Sequence, residues 1–305
     1  MQTLFWRSKF LDRLCCMLFI VLLEIGKKLI QNLINKVQKQ YPKLERHHVR
    51  ALLAYVLSTT PEYLMLYPNL VIDQDASHHF MRLVKELVAG KPLSRIMGRR
   101  EFWGLTFQLS DETLDPRPDS ETLIESVIKM LPDRALPLHI LDLGTGTGCL
   151  LVALLSEYKN AKGVAVDQSQ DALRTAQSNA ETNGVGNRFS ICQSHWFQNV
   201  DGVFDLIVSN PPYISEKDYE ALDDNVKNYD PKKALLGGDD GLSDYKTIIK
   251  HTPHFLKEKG FLVLEMGYGQ CSAITKLLHK SHLKNISVFK DLAGIDRCVL
   301  AQRNH

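Results

Sequence analysis

The chain has 305 residues, 44% of them hydrophobic and 24% charged, with a formal net charge of +2, which is the composition of an ordinary globular protein. This length allows one large core plus a smaller domain. The near-neutral charge argues against a protein that binds duplex nucleic acid through a broad basic surface. The basic group Arg95, Arg99, Arg100 and Arg117 stands out, and we interpret it as a solvated loop face.

The six cysteines stand at positions 15, 16, 149, 192, 271 and 298. They form no Cys-x-x-Cys pair, and no two histidines have zinc-site spacing, so the sequence predicts neither a disulfide framework nor a metal site. Reduced thiols favour a cytoplasmic location. Cys149 stands where a helix should begin, which can lower the pKa of a thiol, although packing as a small residue is the simpler interpretation.

The N-terminus carries basic residues followed by an apolar run at residues 14–23. A run of ten residues is too short to cross a bilayer, which needs about 20. No small-residue cleavage site follows before Glu24. We therefore interpret residues 1–23 as an upstream extension or an extra helix rather than as a signal peptide.

Apolar residues recur with helical spacing in three stretches of the N-terminal third. Thr60 and Asp75 are suitable N-caps, and Gly90 is a suitable stop. Residues 24–90 are therefore predicted to form a small helical domain. The three stretches are residues 25–37, 49–56 and 80–88.

The helical spacing of apolar residues is lost between Pro92 and Phe107, where aromatic residues alternate with glycines. This pattern predicts a hairpin that links two domains. We assign residues 91–115 to the linker and residues 116–305 to the second domain.

From residue 138 onward, short apolar strands alternate with helical segments, which predicts an α/β fold with a doubly wound, mostly parallel sheet. A helix that stops before Pro132 precedes them. The predicted strands are 138–143, 163–166, 188–192, 204–209 and 260–265, with a final pair near 286–290 and 297–301. The predicted helices are 149–157, 170–182, 243–256 and 270–281.

The first of these strands runs into a glycine-rich turn, Asp142-Leu143-Gly144-Thr145-Gly146-Thr147-Gly148. Position 149 is Cys, so the dinucleotide spacing G-x-G-x-x-G is not met. Asp-x-Gly-x-Gly-x-Gly instead resembles the S-adenosylmethionine loop of class I methyltransferases. The next strand ends in Asp167, from which a carboxylate can accept hydrogen bonds from both ribose hydroxyls.

A β-branched run ending at Ser209 breaks into Asn210-Pro211-Pro212-Tyr213. Consecutive prolines lack the ladder donor and fix φ, so the backbone must leave the sheet at Asn210. The Asn210 side-chain oxygen and the Pro211 carbonyl are then two acceptors that can hold a planar amino group, and Tyr213 offers a flat face. This predicts a catalytic loop that methylates an –NH2 nitrogen of an amide or a nucleobase. The competing interpretation, a proline turn after a buried strand, is weakened by the glycine loop and Asp167 upstream.

With these segments in place, the chain resembles the release factor glutamine methyltransferases over roughly residues 24–302. These enzymes methylate the side-chain amide of the Gly-Gly-Gln loop in peptide chain release factors. The discriminating segment is Pro116-Arg117-Pro118, because relatives that act on a ribosomal-protein glutamine tend to carry Pro-Arg-Ser-Pro there. Further shared segments are residues 92–104, 193–197, 234–235 and 240–242.

The resemblance implies a Rossmann-like class I methyltransferase sheet with a small N-terminal helical domain for substrate recognition. It implies S-adenosyl-L-methionine as cofactor and class 1 release factors as substrates. It also implies catalytic roles for Asn210, Pro211 and Tyr213. We expect a cytoplasmic monomer with no stable nucleic acid, membrane or metal partner. The implied glutamine site is Asn210, Pro211, Pro212 and Tyr213, and the implied cofactor site is Asp142, Gly144, Thr145, Gly146, Thr147, Gly148, Asp167, Trp196 and Asn210.

Three positions depart from the family pattern. His195 stands where the family usually has Asp, which puts in doubt a carboxylate contact to the cofactor, and we interpret it as a pocket-wall residue rather than a base. Asp115 replaces an aliphatic residue, and Asp230 is shorter than the usual Glu.

Other functions remain open at this stage. A nucleobase amino methyltransferase acting on adenine N6 or guanine N2 could hold a flipped base in the same loop, although the near-neutral charge and the compact helical domain argue against it. A ribosomal-protein glutamine methyltransferase and a noncatalytic cofactor-binding or release factor-binding module are further alternatives. The intact loop at residues 210–213 argues against the last.

Overall fold

The structure is a computed structural model that describes residues 28–304. The apolar run at residues 14–23 lies outside the described residues. Within them, every helix is too short or too polar to serve as a membrane span. The chain divides into two compact units, with the boundary between Met97 and Gly98.

The first unit is a helical bundle with a two-stranded antiparallel ribbon, and its core centres on Leu52, Leu53 and Phe80. Thr60 caps a helix as predicted, since its hydroxyl accepts from Tyr63 N at 3.2 Å. The fourth helix begins two residues earlier than predicted, because the N-cap is Asp73, which accepts from Ala76 N at 2.7 Å, and not Asp75. The elements are β1 (Lys28–Leu29), α1 (Ile30–Gln40), α2 (Arg46–Val56), α3 (Pro61–Leu66), β2 (Val71–Ile72), α4 (Gln74–Val88) and α5 (Leu93–Met97).

The predicted hairpin over residues 92–107 is partly a helix. Residues after Pro92 form α5, and Ile96 N donates to Pro92 O at 3.0 Å. Proline is well suited to the start of a helix because its missing N–H would be unpaired there, and Ser94 and Ile96 are buried. The hairpin itself consists of β3 (Arg99–Phe102) and β4 (Leu105–Gln108) in the second unit.

The second unit is built on a seven-stranded sheet of order β10-β11-β9-β8-β5-β6-β7, in which β11 is antiparallel to both neighbours and the other pairings are parallel. This confirms the predicted mostly parallel sheet. The strands are β5 (His139–Leu143), β6 (Lys162–Asp167), β7 (Phe189–Gln193), β8 (Phe204–Ser209), β9 (Leu256–Glu265), β10 (Leu283–Lys290) and β11 (Asp296–Arg303). The helices are α6 (Glu121–Met130), α7 (Cys149–Glu157), α8 (Gln170–Thr182), α9 (Glu216–Glu220), α10 (Asp224–Tyr229), α11 (Ser243–Phe255) and α12 (Cys271–Lys280).

Helices cover both faces of this sheet because alternate strand residues point to opposite sides. Ile140 and Val208 pack in the cluster that includes α6, α7 and α8. Leu141 and Ile207 pack in the cluster that includes α11 and α12. Each such side chain stabilises the fold by roughly 1.5–3 kcal/mol relative to leaving it in water.

One buried asparagine of α8 connects the hairpin to the glycine-rich turn. Asn179 Oδ1 accepts from Gln108 N at 2.7 Å, and Nδ2 donates to Gln108 O at 3.1 Å and to Thr147 O at 2.9 Å. The side chain therefore satisfies both backbone groups at the end of β4 together with a carbonyl of the turn.

The order of the strands reverses between β5 and β8, since the chain proceeds from β5 outward to β7 and then returns to the other side of β5. In open α/β sheets, ligands bind at the carboxyl ends of the strands at such a switch point. The glycine-rich turn follows β5 and the Asn-Pro-Pro-Tyr segment follows β8, so the fold brings the two motifs together.

Candidate active site

The glycine-rich turn is held by backbone hydrogen bonds to the neighbouring strand. Gly144 N and Thr145 N both donate to Val166 O at 2.9 Å. Gly144 and Gly146 have φ of +70° and +52°, in the left-handed region that glycine adopts at little cost. A Cβ built on Gly146 would meet no protein atom within 4 Å, so its missing side chain leaves open space above the turn.

Asp142 lies beneath the turn and is fully buried. Burial raises the pKa of its carboxyl to about 7, while the hydrogen bond from the Thr145 hydroxyl, at 2.6 Å to Oδ2, acts in the opposite direction. Among the described residues, Oδ1 has no hydrogen-bond partner. Asp142 therefore presents one satisfied and one unsatisfied oxygen below the turn.

Asp167 closes the other side of the turn. Its Oδ2 accepts from Gly146 N at 3.0 Å and its Oδ1 accepts from Ser169 N at 2.9 Å. Burial raises the pKa of Asp167, and the two backbone N–H donors lower it. Each carboxylate oxygen can accept more than one hydrogen bond, so Asp167 keeps acceptor capacity for a ligand.

Trp196 forms a flat wall over the first glycine of the turn. Its backbone has φ of +52°, a strained conformation for a bulky residue. A Cβ on Gly144 would lie 3.4 Å from the indole ring. Indole Nε1 donates to Asp244 Oδ1 at 3.1 Å, and burial raises the pKa of Asp244. Asp244 was not predicted from the sequence, although it lies two residues after a shared family segment.

These groups border a cavity of about 930 Å³ in the second unit. A carboxylate with spare acceptors, an indole face and an open glycine turn fit a nucleoside-type cofactor. The predicted residues that line the cavity are Gly144, Thr145, Gly146, Thr147, Asp167, Trp196, Asn210 and Pro212. Four predicted residues do not line it: Asp142, Gly148, Pro211 and Tyr213. Lining residues that the sequence did not predict include Glu112, Ser120, Ser169, Lys232, Lys233 and Asp244.

His195 is exposed and borders the cavity, as expected for a pocket-wall residue. Cys149 also borders it, at the first residue of α7. Burial raises the pKa of the Cys149 thiol to about 12, so the lowering that a helix start can produce does not occur here. Cys149 acts as a packing residue.

The chain leaves β8 at Asn210, and the hydrogen bonds of this residue fix its direction. Asn210 Nδ2 donates to Ser120 Oγ at 3.3 Å, across 90 positions of the sequence. The preceding Ser209 hydroxyl donates to Leu143 O at 2.7 Å and so joins the two loops. Among the described residues, neither Asn210 Oδ1 nor the Pro211 carbonyl accepts a hydrogen bond. Both oxygens therefore keep unused acceptor capacity; Asn210 lines the cavity, whereas Pro211 is buried and does not.

The backbone of Tyr213 is held from two sides. Gln270 Nε2 donates to Tyr213 O at 2.9 Å and to Gly241 O at 3.2 Å, and Gln270 Oε1 accepts from Gly267 N at 3.0 Å. A Cβ on Gly241 would clash with Tyr213 O. The shared segment at residues 240–242 thus packs against the Asn-Pro-Pro-Tyr loop, a role that sequence reasoning did not assign.

A buried carboxyl lies behind the same loop. Glu265 Oε1 is 3.4 Å from the Tyr213 hydroxyl. Burial raises the pKa of Glu265 to about 7, while hydrogen bonds from Ser120 and Tyr213 and the charge of Arg297 lower it. Burial also raises the pKa of Tyr213, as does the neighbouring Glu265 charge. Neither Ser120 nor Glu265 was predicted.

The two acidic departures at positions 115 and 230 meet at Arg117. Arg117 Nη2 donates to Asp230 Oδ2 at 2.5 Å, and Asp115 N donates to Asp230 Oδ1 at 3.3 Å. Arg117 Nη1 lies 3.9 Å from Asp115 Oδ2. Arg117 is therefore an ion-paired residue at the edge of the cavity. The prediction that it belongs to a solvated basic face was wrong.

In the first unit, Glu45, His47 and His48 place one possible ligand atom each within 4.8 Å of one another. Sequence reasoning did not single out this group. Glu45 and His47 are exposed, and the group lies in the first turn of α2, where it is solvated.

Comparisons with known proteins cover both units. Residues 28–98 match the PrmC N-terminal domain, and residues 113–227 match the methyltransferase small domain. A release factor glutamine methyltransferase from Agrobacterium fabrum is 39% identical over 257 residues, which cover 83% of this chain and 89% of the relative. One from Rhodospirillum rubrum is 39% identical over 258 residues, or 85% of this chain and 79% of the relative.

Among solved structures, the hMettl16 catalytic domain in complex with MAT2A 3′UTR hairpin 6 is similar, with a TM-score of 0.55. The similarity covers 83% of this chain and 92% of that chain at 16% sequence identity. At this identity the likeness supports the fold alone.

Proposed function

Since the chain belongs to the release factor glutamine methyltransferases, we propose that the cavity described above is where it binds S-adenosylmethionine beside a glutamine side chain. The protein is an S-adenosylmethionine-dependent enzyme that methylates the side-chain amide nitrogen of a glutamine in release factors. The observation that carries the site assignment is Asn210 Oδ1, which accepts no hydrogen bond among the described residues and belongs to a residue that lines the cavity beside the glycine-rich turn. The Pro211 carbonyl, next along the chain, also accepts none among these residues.

The cofactor, when bound, supplies an electrophilic methyl group on a sulfonium sulfur. Asp167 would accept hydrogen bonds from its ribose hydroxyls, Trp196 would contact its adenine, and the turn from Gly144 to Gly148 would approach it through backbone atoms. The open space above Gly146 supports this placement. The buried acceptor of Asp142, Oδ1, supports a role for that residue beneath the same group.

The glutamine nitrogen is a weak nucleophile because its lone pair is delocalised into the carbonyl. Asn210 Oδ1 and Pro211 O would each accept one N–H of the amide, which orients the lone pair toward the methyl group. The same two acceptors stabilise the positive charge that develops on nitrogen. Tyr213 would pack its ring beside the amide.

No general base is required by this arrangement. After methyl transfer the nitrogen carries a positive charge and still holds both of its original protons, one of which is acidic enough to leave to water. His195 is exposed and has no contact that would direct it to the amide.

We assign recognition of the rest of the release factor to the first unit. A Gly-Gly-Gln loop offers little surface, so additional contacts must supply affinity. Helix α3 and the residue after it expose Tyr63, Met65, Leu66 and Tyr67, and Leu66 is 74% exposed. The rings of Tyr63 and Tyr67 pack at 4.6 Å. Such apolar exposure is typical of a protein-binding surface. We expect a monomeric enzyme in the cytoplasm.

Mass spectrometry of tryptic peptides tests the proposal. Purified class 1 release factor is incubated with the enzyme and S-adenosylmethionine, and the peptide that contains Gly-Gly-Gln is sequenced by fragmentation. One added methyl group on the glutamine side chain is the expected result. Methylation of DNA or RNA without methylation of the release factor would instead identify a nucleobase methyltransferase.

A further inference from the structure

The mechanism above leaves one buried ionisable group near the catalytic loop without a role. Glu265 is the last residue of β9 and is 1% exposed. Its Oε1 lies 3.4 Å from the Tyr213 hydroxyl, and its Oε2 has no hydrogen-bond partner among the described residues. Burying a carboxyl costs free energy unless hydrogen bonds or charges compensate.

Ser120 connects this carboxyl to the asparagine that is to hold the substrate. Ser120 is buried at the N-terminus of α6, and its Oγ accepts from Asn210 Nδ2 at 3.3 Å. The Ser120 hydroxyl also lies near enough to the Glu265 carboxyl to lower its pKa as a hydrogen-bond donor. A hydroxyl has one hydrogen to donate. If that hydrogen goes to a carboxylate, the oxygen of Ser120 can only accept from Asn210.

We propose that Glu265 is a positioning residue for methyl transfer, whose carboxylate accepts from Ser120 and Tyr213 and thereby holds the Asn210 amide with its oxygen toward the substrate. The inference rests on the proposed function for its effect on catalysis. The chain of donors runs from Asn210 N–H to the Ser120 oxygen and from Ser120 O–H to Glu265. This direction leaves Asn210 Oδ1 as the group that faces the glutamine.

Protonation of Glu265 would reverse that direction. A protonated carboxyl donates its own hydrogen, Ser120 then accepts it, and the Ser120 hydrogen is free to be donated to Asn210 Oδ1. The amide would turn its nitrogen toward the substrate, and the acceptor would be lost. Only the ionised form of Glu265 therefore supports the active orientation.

The charged and titratable groups around Glu265 determine the pH at which it is protonated and the Asn210 amide changes orientation. From β11, Arg297 favours the ionised form, and its Nη2 also lies 3.2 Å from Asp119 and 3.1 Å from Asp291. Asp119 favours the protonated form. From α11, the Tyr245 hydroxyl donates to the backbone carbonyl of Glu265 at 2.8 Å. Burial raises the pKa of the Cys298 and Cys149 thiols to about 12, so both stay neutral.

The net result is a Glu265 pKa of about 7, well above the ordinary value of 4.5. Asn210 should therefore change orientation close to neutral pH. Asp142 also has a raised pKa of about 7, but it lies under the glycine-rich turn, so its protonation should affect cofactor affinity. The two effects separate when the cofactor is saturating.

The first test needs no substrate. The side-chain amide ¹⁵N and ¹H resonances of Asn210, assigned by their loss in Asn210→Ala, are followed by NMR between about pH 5 and 9. We expect them to shift with a midpoint near 7 in the parent, and to lose that titration in Glu265→Gln and in Ser120→Ala. Glu125→Gln, an exposed change on α6, is the matched control and should titrate like the parent.

The second test is kinetic. At saturating cofactor and release factor, the kcat of the parent should fall about tenfold for each pH unit below the midpoint. Glu265→Gln should lower kcat on the order of tenfold at pH 8, flatten its pH dependence, and leave the KM and the cofactor Kd unchanged. Ser120→Ala combined with Glu265→Gln should cost no more than either alone, because both break one chain of hydrogen bonds.

An Asn210 amide that titrates equally in Glu265→Gln and the parent would overturn the proposal, as would an unchanged kcat profile. If Glu265→Gln fails to fold, as judged by thermal unfolding and cofactor binding, Ser120→Ala and Tyr213→Phe carry the same comparison. A parent that shows the NMR titration but methylates no release factor would refute the proposed function and leave intact only the control of the Asn210 orientation by Glu265.

Discussion

Replacing Asn210 separates the cofactor site from the glutamine site. Asn210→Ala removes the Oδ1 acceptor and the donor to Ser120, but it leaves the contacts of Gly146 with Asp167 and of Trp196 with Asp244 in place. Cofactor affinity should therefore fall only slightly. Loss of one orienting hydrogen bond at a buried site costs about 1–3 kcal/mol, which corresponds to roughly 5- to 150-fold in kcat/KM.

Asn210→Asp sharpens this prediction, because it keeps an acceptor and nearly the same volume. The structure shows that Asn210 also donates, through Nδ2 to Ser120. An aspartate could not donate there, and the single Ser120 hydrogen would be shared between it and the Glu265 carboxylate. Two like charges close together also disfavour ionisation. We therefore expect Asn210→Asp to be about as slow as Asn210→Ala.

Single-turnover methyl transfer to purified release factor, with the cofactor saturating, measures the chemical step in all three proteins. Asn225→Ala, on the exposed surface of α10, is the matched control and should react at the parental rate. A parental rate in Asn210→Ala would refute the proposed mechanism. A parental rate in Asn210→Asp would refute the role of the donated hydrogen bond.

Three further predictions follow from other parts of the molecule. Asp167→Ala should weaken binding of S-adenosylmethionine by about 1–3 kcal/mol in calorimetry, and Gly146→Ala should also weaken it, because the added Cβ enters the open space above the turn. Since Gly146 has a φ of +52°, the substitution also strains the turn, so the thermal unfolding of the variant is compared with that of the parent. Unchanged binding in both variants would show that the cofactor lies elsewhere. The Asp142 carboxyl has a folded-state pKa of about 7 against an ordinary 3.8, so its ionisation destabilises the folded state. The unfolding free energy of the free protein should fall as the pH rises between these two values, and Asp142→Asn should remove that part of the decrease in thermal unfolding experiments. Leu66→Glu should raise the KM for whole release factor and leave the KM for a short Gly-Gly-Gln peptide unchanged; equal effects on both substrates would contradict recognition by the first unit.

Much of the second unit could be predicted because its local signals are strong. Helices α7 and α8 and strand β8 have the bounds that their apolar spacing indicated, and α8 begins after Ser169, which caps it. The prediction of the sheet was confirmed because alternating strands and helices leave few other topologies.

The errors arise where two local signals compete. Asp73 and Asp75 are both suitable caps, and only the backbone geometry at Asp73 decides between them. Strand β9 was predicted to begin at residue 260, but it begins at Leu256. It pairs with β8 in two segments, and an irregularity around Lys259, whose φ is +62°, separates them.

The surroundings of the site could not be predicted from spacing, because they come from distant parts of the chain. Ser120 and Asn210 are 90 residues apart, and Tyr213 and Glu265 are 52 residues apart. Each of these residues has an ordinary structural interpretation by itself. Only the fold shows that they form one hydrogen-bonded group.

The three hydrogen bonds of Asn179 also bear on how the second unit opens. Breaking them leaves the N–H and C=O of Gln108 and the carbonyl of Thr147 unsatisfied at once. The hairpin and the glycine-rich turn should therefore exchange their amide hydrogens as one cooperative unit rather than as two independent loops. A ligand that binds the turn raises the free energy of that opening. Slower exchange in β4 would then report occupancy of a pocket that β4 itself does not line.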